Sequence, residues 1–178
     1  MATGISSNGR FRSGGFTLLE LLVVIALIGI ILTFATLNLG GDRRAERLEE
    51  AAERFRQLTR LAAEQAVLRG EEWGLALDEA GYRFLYLEDD GWRPVADPTF
   101  RPRHWPEGIE ARLLLDGQPA ALADAADGDA DAPSPDILLL SSGELTGFEL
   151  VLRDAGTEHV ARVFGYPDGR LERHAEAT

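Results

Sequence analysis

The sequence predicts an α+β fold: one long N-terminal helix followed by an antiparallel β-sheet domain. Three observations predict it. Residues 16–39 form an almost unbroken apolar run. Residues 48–66 then carry apolar side chains in steps of three and four, the period of an amphipathic helix. Beyond Gly70 the period falls towards two, and turn signals such as Asp90-Gly91 separate short apolar segments, the pattern of paired strands.

The apolar run, Phe16 to Leu39, is 24 residues long and holds one acidic side chain, Glu20. At about 1.5 Å per residue such a helix is roughly 36 Å long, enough to cross a hydrocarbon core of about 30 Å. It therefore predicts a membrane-spanning helix. Glu20 is the anomaly. An acidic group in such a segment costs of order 2.5–3.5 kcal/mol at mid-depth and less near an end, so it implies a partner elsewhere. The residues before the run, Met1 to Gly15, include Arg10 and Arg12 and have no apolar core of their own. A secretory signal is cut after its apolar stretch, at a small-residue site; here the candidate site, Gly14-Gly15, precedes it. Gly15 has no side chain, so the backbone there can lie extended in a protease groove.

Arg12-Ser13-Gly14-Gly15 followed by Phe16-Thr17-Leu18-Leu19-Glu20 resembles the type III signal of type IV pilins and pseudopilins. The resemblance implies that a prepilin peptidase/methyltransferase of the membrane cuts between Gly15 and Phe16 and then N-methylates Phe16. It also implies that Glu20 pairs with the free amine of Phe16 on a neighbouring subunit during assembly. Residues 1–15 are then a cleaved leader and 16–39 the transmembrane and assembly half of the helix.

The formal charge is −12, and all 18 basic residues are arginine. Without the leader, 16 arginines face 30 acids, a net −14. That acidity argues against nucleic acid as the main partner. There is no cysteine, so no disulfide reports the compartment. Arg10 and Arg12 precede the span while Arg43, Arg44 and Arg47 follow it, so the positive-inside count is nearly even. The resemblance, rather than that count, implies a cytoplasmic leader and a periplasmic C-terminal domain.

Residues 40–70 are expected to form the amphipathic half of the helix. Asp42 is a candidate N-cap. Leu48, Ala52, Phe55, Leu58, Ala62 and Ala66 mark the buried face, and Gly70 stands at the C-terminal glycine position. Gly40-Gly41 is a weak point, because each glycine lowers helix stability by roughly 1 kcal/mol relative to alanine. Unbroken, Phe16 to Arg69 would be about 80 Å long.

Residues 71–178 are expected to form the β domain. Trp73 to Leu77 predicts a first strand and Tyr82 to Leu87 a second, with Asp90-Gly91 turning the chain into Trp92-Arg93-Pro94-Val95. Pro94, Pro98, Pro102 and Pro106 make 97–108 an irregular connection. Ile109 to Leu115 predicts a strand, and 116–136 a flexible acidic loop poor in bulky apolar residues. Ile137 to Leu140 predicts a short, fully buried strand. Phe148 to Arg153 alternates, His159 to Phe164 follows, and Tyr166-Pro167-Asp168-Gly169-Arg170 is a turn. Leu171 to Arg173 is a last, short strand before a frayed tail. Ile137 to Leu150 resembles the C-terminal half of H-type minor pseudopilins of the type II secretion system, a group sharing its domain family with FimT-type minor pilins. Gly147 stands where that family leads one to expect proline.

No catalytic set is visible. Asp127, Asp129 and Asp131 have the spacing that opens a calcium loop, but glycine is missing at the sixth position and Leu138 replaces the bidentate glutamate; a solvated acidic loop is the expectation. Ser141 and Ser142 lack the glycine pattern of a nucleophile elbow. His104, His159 and His174 have no ligand spacing. Arg170 and Arg173 resemble the DNA-binding tail of FimT-like competence pilins, but Glu172 and Glu176 interleave with them. The sequence is thus identified as a pilin-like minor pseudopilin of the H type: a structural subunit, not an enzyme, with no cofactor or metal. The resemblance implies other major and minor pseudopilins and an inner-membrane assembly platform as partners. The alternative is a FimT- or FimU-like minor pilin of a type IV pilus.

Overall fold

A computed structural model of the chain describes residues 18–122 and 134–176, with side chains described at 18–30, 43–122 and 134–174. Helix α1 (Leu18–Arg69) is followed by strands β1 (Trp73–Leu77), β2 (Gly81–Glu88) and β3 (Gly91–Pro94), then a 3₁₀ turn (Pro98–Phe100) and β4 (Arg103–His104). Next come β5 (Ile109–Leu115), β6 (Gln118–Ala120), β7 (Ile137–Leu139), β8 (Phe148–Asp154), β9 (Val160–Gly165) and β10 (Leu171–Glu176). The chain divides into two compact units between Gly40 and Gly41.

The backbone is helical through Gly40, Gly41 and Asp42. Asp42 therefore starts no new helix. Glycine weakens a helix but keeps its N–H, so the ladder continues and leaves no free N-terminal groups for Asp42 to cap. The other end is as expected. Gly70 has φ +66°, Glu71 N–H donates to the Ala66 carbonyl at 3.1 Å and Gly70 N–H to Val67 at 3.3 Å. These two bonds are the Schellman pair that satisfies the last helical carbonyls.

The β domain holds two antiparallel sheets. One has the order β3-β2-β1-β7, with β4 also pairing β2; the other has the order β10-β9-β8-β5-β6. Tyr82 and Phe84 of β2 face the core, Leu85 is buried on the opposite face of the strand, and Phe148, Leu150 and Leu152 of β8 alternate inward while Glu149, Val151 and Arg153 turn outward. Three expectations are corrected. The segment 116–136 contains a strand, β6, because Asp116 (φ +51°) and Gly117 (φ +76°) form a hairpin turn of the kind that needs two positive φ angles. β7 is not fully buried: Leu138 is 38% exposed, since an edge strand of this sheet turns one side to solvent. β10 runs to Glu176 rather than stopping at Arg173, paired with β9 along its whole length. The acidic residues 123–133 lie outside the described residues.

Helix α1 meets the sheets through Leu48, Ala51, Ala52, Phe55, Thr59, Ala62 and Ala66, all buried. At about 100° per residue, Thr59 falls near the middle of this stripe and Leu58 about 80° to one side, so Leu58 is only partly buried. The alanines let the helix approach closely; Phe55 supplies the bulk. Its ring lies 5.1 Å from Tyr82 of β2, 6.0 Å from Phe148 of β8 and 6.1 Å from Trp105. One side chain therefore touches both sheets and the loop between them. Burial around Tyr82 pushes its phenol up to about 12.

Phe55→Ala is expected to lower stability by about 3–5 kcal/mol, the usual cost of emptying a large aromatic site, and Leu58→Ala by clearly less. Chemical denaturation with an unchanged slope checks this; equal losses at the two positions would contradict it.

Candidate functional site

Residues 18–30 of α1 are built unlike residues 43–69. Ten large apolar side chains between Leu18 and Ile30 are exposed, from Val24 at 44% to Leu18 at 79%. In residues 18–30 the other three are Glu20, Ala26 and Gly29, so the apolar surface runs round every face. A helix of that composition is stable in water only when something covers it. Full burial of one such side chain is worth about 1.5–3 kcal/mol, so covering ten half-exposed ones gains of order 10 kcal/mol. That outweighs the roughly 2.5–3.5 kcal/mol that a mid-membrane carboxylate costs. Glu20 itself lies among residues 18–30 and is exposed. Among the described residues no helix is long and apolar enough to cross a membrane; only 18–30 of the predicted span 16–39 have described side chains, short of the roughly 20 residues needed. Gly15 and Phe16 lie outside the described residues.

The remaining candidates do not converge. His104 on β4 and His174 on β10 are exposed, and His159 is half-buried before β9. Among the described residues no three His, Asp or Glu side chains gather as a metal site; Asp127, Asp129 and Asp131 lie outside them. Ser141 is structural: its hydroxyl donates to Glu72 Oε1 at 2.6 Å and its N–H to Glu72 Oε2 at 3.1 Å, tying the end of β7 to the approach of β1. Arg170 binds Asp168 at 2.7 Å and Glu172 at 3.2 Å, and its guanidinium lies 4.5 Å from the Tyr166 ring centre. The Arg170 hydrogen bond in turn holds the Asp168 carboxyl below its ordinary range. Arg173 pairs with Glu49 and, at 3.3 Å, with Glu53 of α1. Hydrogen bonding to Arg56 is the main cause that lowers the Glu53 carboxyl. Sequence reasoning took these two arginines as a possible tail motif. The acidic partners of Arg173 on α1 lie more than a hundred positions away, where no local pattern marks them, whereas those of Arg170 are two residues to either side.

The model of the family described as type II transport protein GspH matches residues 51–169. The chain belongs to that family. The prokaryotic N-terminal methylation motif matches residues 10–36. The type II secretion system protein H of Pseudomonas aeruginosa is 36% identical, over 90% of this chain and 95% of that protein. The protein of the same name from Aeromonas hydrophila is 29% identical, over 91% and 93%. The crystal structure of the minor pseudopilin EpsH from the type II secretion system of Vibrio cholerae superimposes with a TM-score of 0.61 at 28% identity, covering 75% of this chain and 96% of that one. The fold is thus pilin-like, and this GspH-family chain is a minor pseudopilin of type II secretion that associates with other pseudopilins in the pseudopilus.

The exposed segment and the β domain should separate in behaviour. In a cloud-point detergent partition, the full chain is expected in the detergent phase and a fragment of residues 41–178 in the aqueous phase. Both species in one phase would contradict the assignment of the apolar surface to residues before Gly41.

Proposed function

We propose that the chain is made as a precursor, cut between Gly15 and Phe16 by a prepilin peptidase that also N-methylates Phe16, and held in the inner membrane by residues 16–39. The β domain then faces the periplasm. The assembly platform moves the subunit from lipid into the pseudopilus, where it serves as a structural element rather than an enzyme. The observation that carries this reading is the helical segment Leu18–Ile30, apolar on every face except for Glu20. Lipid and neighbouring helices are equivalent covers for such a surface, so transfer between them needs little net free energy from the apolar groups.

Glu20 makes the transfer selective. In a low-dielectric helix bundle, its carboxylate and the amine of a neighbour's Phe16 offset each other's desolvation, whereas either one alone is costly. The secretion reading is favoured over DNA uptake by the arginines near the C-terminus: Arg170 and Arg173 are engaged with Asp168, Glu172, Glu49 and Glu53, which leaves them poorly placed to neutralise phosphates.

Mass spectrometry of the protein isolated from inner membranes is expected to show a chain beginning at N-methylated Phe16. Glu20→Leu is expected to be cut and inserted as usual but to co-purify with other pseudopilins at about a tenth of the normal level or less, a loss typical of an unpaired buried charge. A mature chain starting at Met1, or full co-purification of Glu20→Leu, would overturn the proposal.

A further inference from the structure

We propose that Arg44, Asp154 and Gly156 form a clasp that sets where the rigid part of α1 begins. The consequence for the assembled filament rests on the proposed function; the clasp itself does not.

Residues just after the Gly40–Gly41 boundary lack the packing that holds the rest of α1. Arg43, Arg44, Glu46 and Arg47 are exposed and Ala45 is half-buried; Leu48 is the first buried side chain. Two helical turns therefore lie between a glycine pair that weakens the helix, by about 1 kcal/mol per glycine, and the first apolar anchor. Left to propensity, unwinding that starts at Gly40–Gly41 would run as far as Leu48.

A charge contact stands in its way. Arg44 Nη1 lies 4.0 Å from Oδ1 of Asp154, whose side chain is 7% exposed. Asp154 ends β8, and its Oδ1 also accepts the Gly156 N–H at 2.8 Å. The turn is fixed by Asp154 N–H to the His159 carbonyl and Thr157 N–H to the Asp154 carbonyl, both 3.3 Å. A carboxylate this deeply buried needs a positive neighbour, and Arg44 supplies it. Gly156 leaves the room: a Cβ there would collide with the Arg44 guanidinium. Its backbone is not in the left-handed region, so the glycine serves space rather than conformation. Arg44, Arg47, Glu107, Gly108, Ile109, Asp154 and Gly156 line one small cavity, in which the helix and the β8–β9 turn meet.

The clasp stops unwinding at Arg44. In an assembled filament, the ordered helix of the β domain then begins at Arg44 rather than at Leu48.

Hydrogen exchange on the full chain in detergent micelles tests this. Arg44→Gln keeps the Asp154 turn but removes the charge, and is expected to speed exchange of the amides at 45–48 about threefold or more, with β1 and β2 unchanged. Gly156→Ala is expected to do the same by filling the space, and Arg43→Gln to do nothing. Unchanged exchange at 45–48 in Arg44→Gln, an equal effect from Arg43→Gln, or faster exchange spread across β1 and β2 would each overturn the proposal. None of these readouts involves filaments, so failure here leaves the assembly reading standing.

Discussion

A helix whose first turns are apolar on every side cannot end its journey in water. That constraint orders the rest of the molecule. Leu18 to Ile30 carry ten exposed apolar side chains, and the gain from covering them, of order 10 kcal/mol, exceeds what Glu20 costs to bury. The segment therefore belongs to a bilayer or to a bundle of like helices.

The second half of the same helix solves a different problem. It packs against a domain of two sheets. The stripe from Leu48 to Ala66 is mostly alanine, with Phe55 as its one large ring. Small residues bring the helix close, and the ring fills the gap against Tyr82 and Phe148 on the two sheets. Charges then fasten the periphery: Arg173 on the last strand reaches Glu49 and Glu53, and Arg44 reaches Asp154. Pairs in which at least one partner is a partly exposed arginine are each worth little, about 0–1 kcal/mol, so they fix geometry more than they add stability. At the half-buried Asp136, partial burial raises the carboxyl although the Leu77 N–H donates to it at 2.8 Å.

Much of this was legible in the residues. Alternation placed β1, β5 and β8, and the helical stripe followed from steps of three and four. The misses have physical causes. β6 was hidden by composition, yet Asp116-Gly117 is the same turn signal as Asp90-Gly91 and should have predicted a hairpin. Leu138 was read as buried from its apolar neighbours, without knowing that β7 lies at a sheet edge. Thr59 was passed over for Leu58 because hydrophobicity was weighed before angle. β10 was placed only as far as Arg173, because the residues beyond it offer no apolar alternation to mark their pairing with β9, and the Arg173 partners Glu49 and Glu53 are distant in sequence. The N-terminal methylation motif over residues 10–36 was the opposite case, fully local and therefore readable, although Gly15 and Phe16 lie outside the described residues.

The central claim is that one apolar helical surface is covered first by lipid and then by other subunits. A photo-reactive residue at Leu22 or Ile25, followed before and after pseudopilus assembly, addresses it most directly. The account predicts adducts to phospholipid before assembly, replaced after assembly by adducts to neighbouring pseudopilins. Adducts to lipid alone at both stages, or to neither cover at any stage, would contradict it.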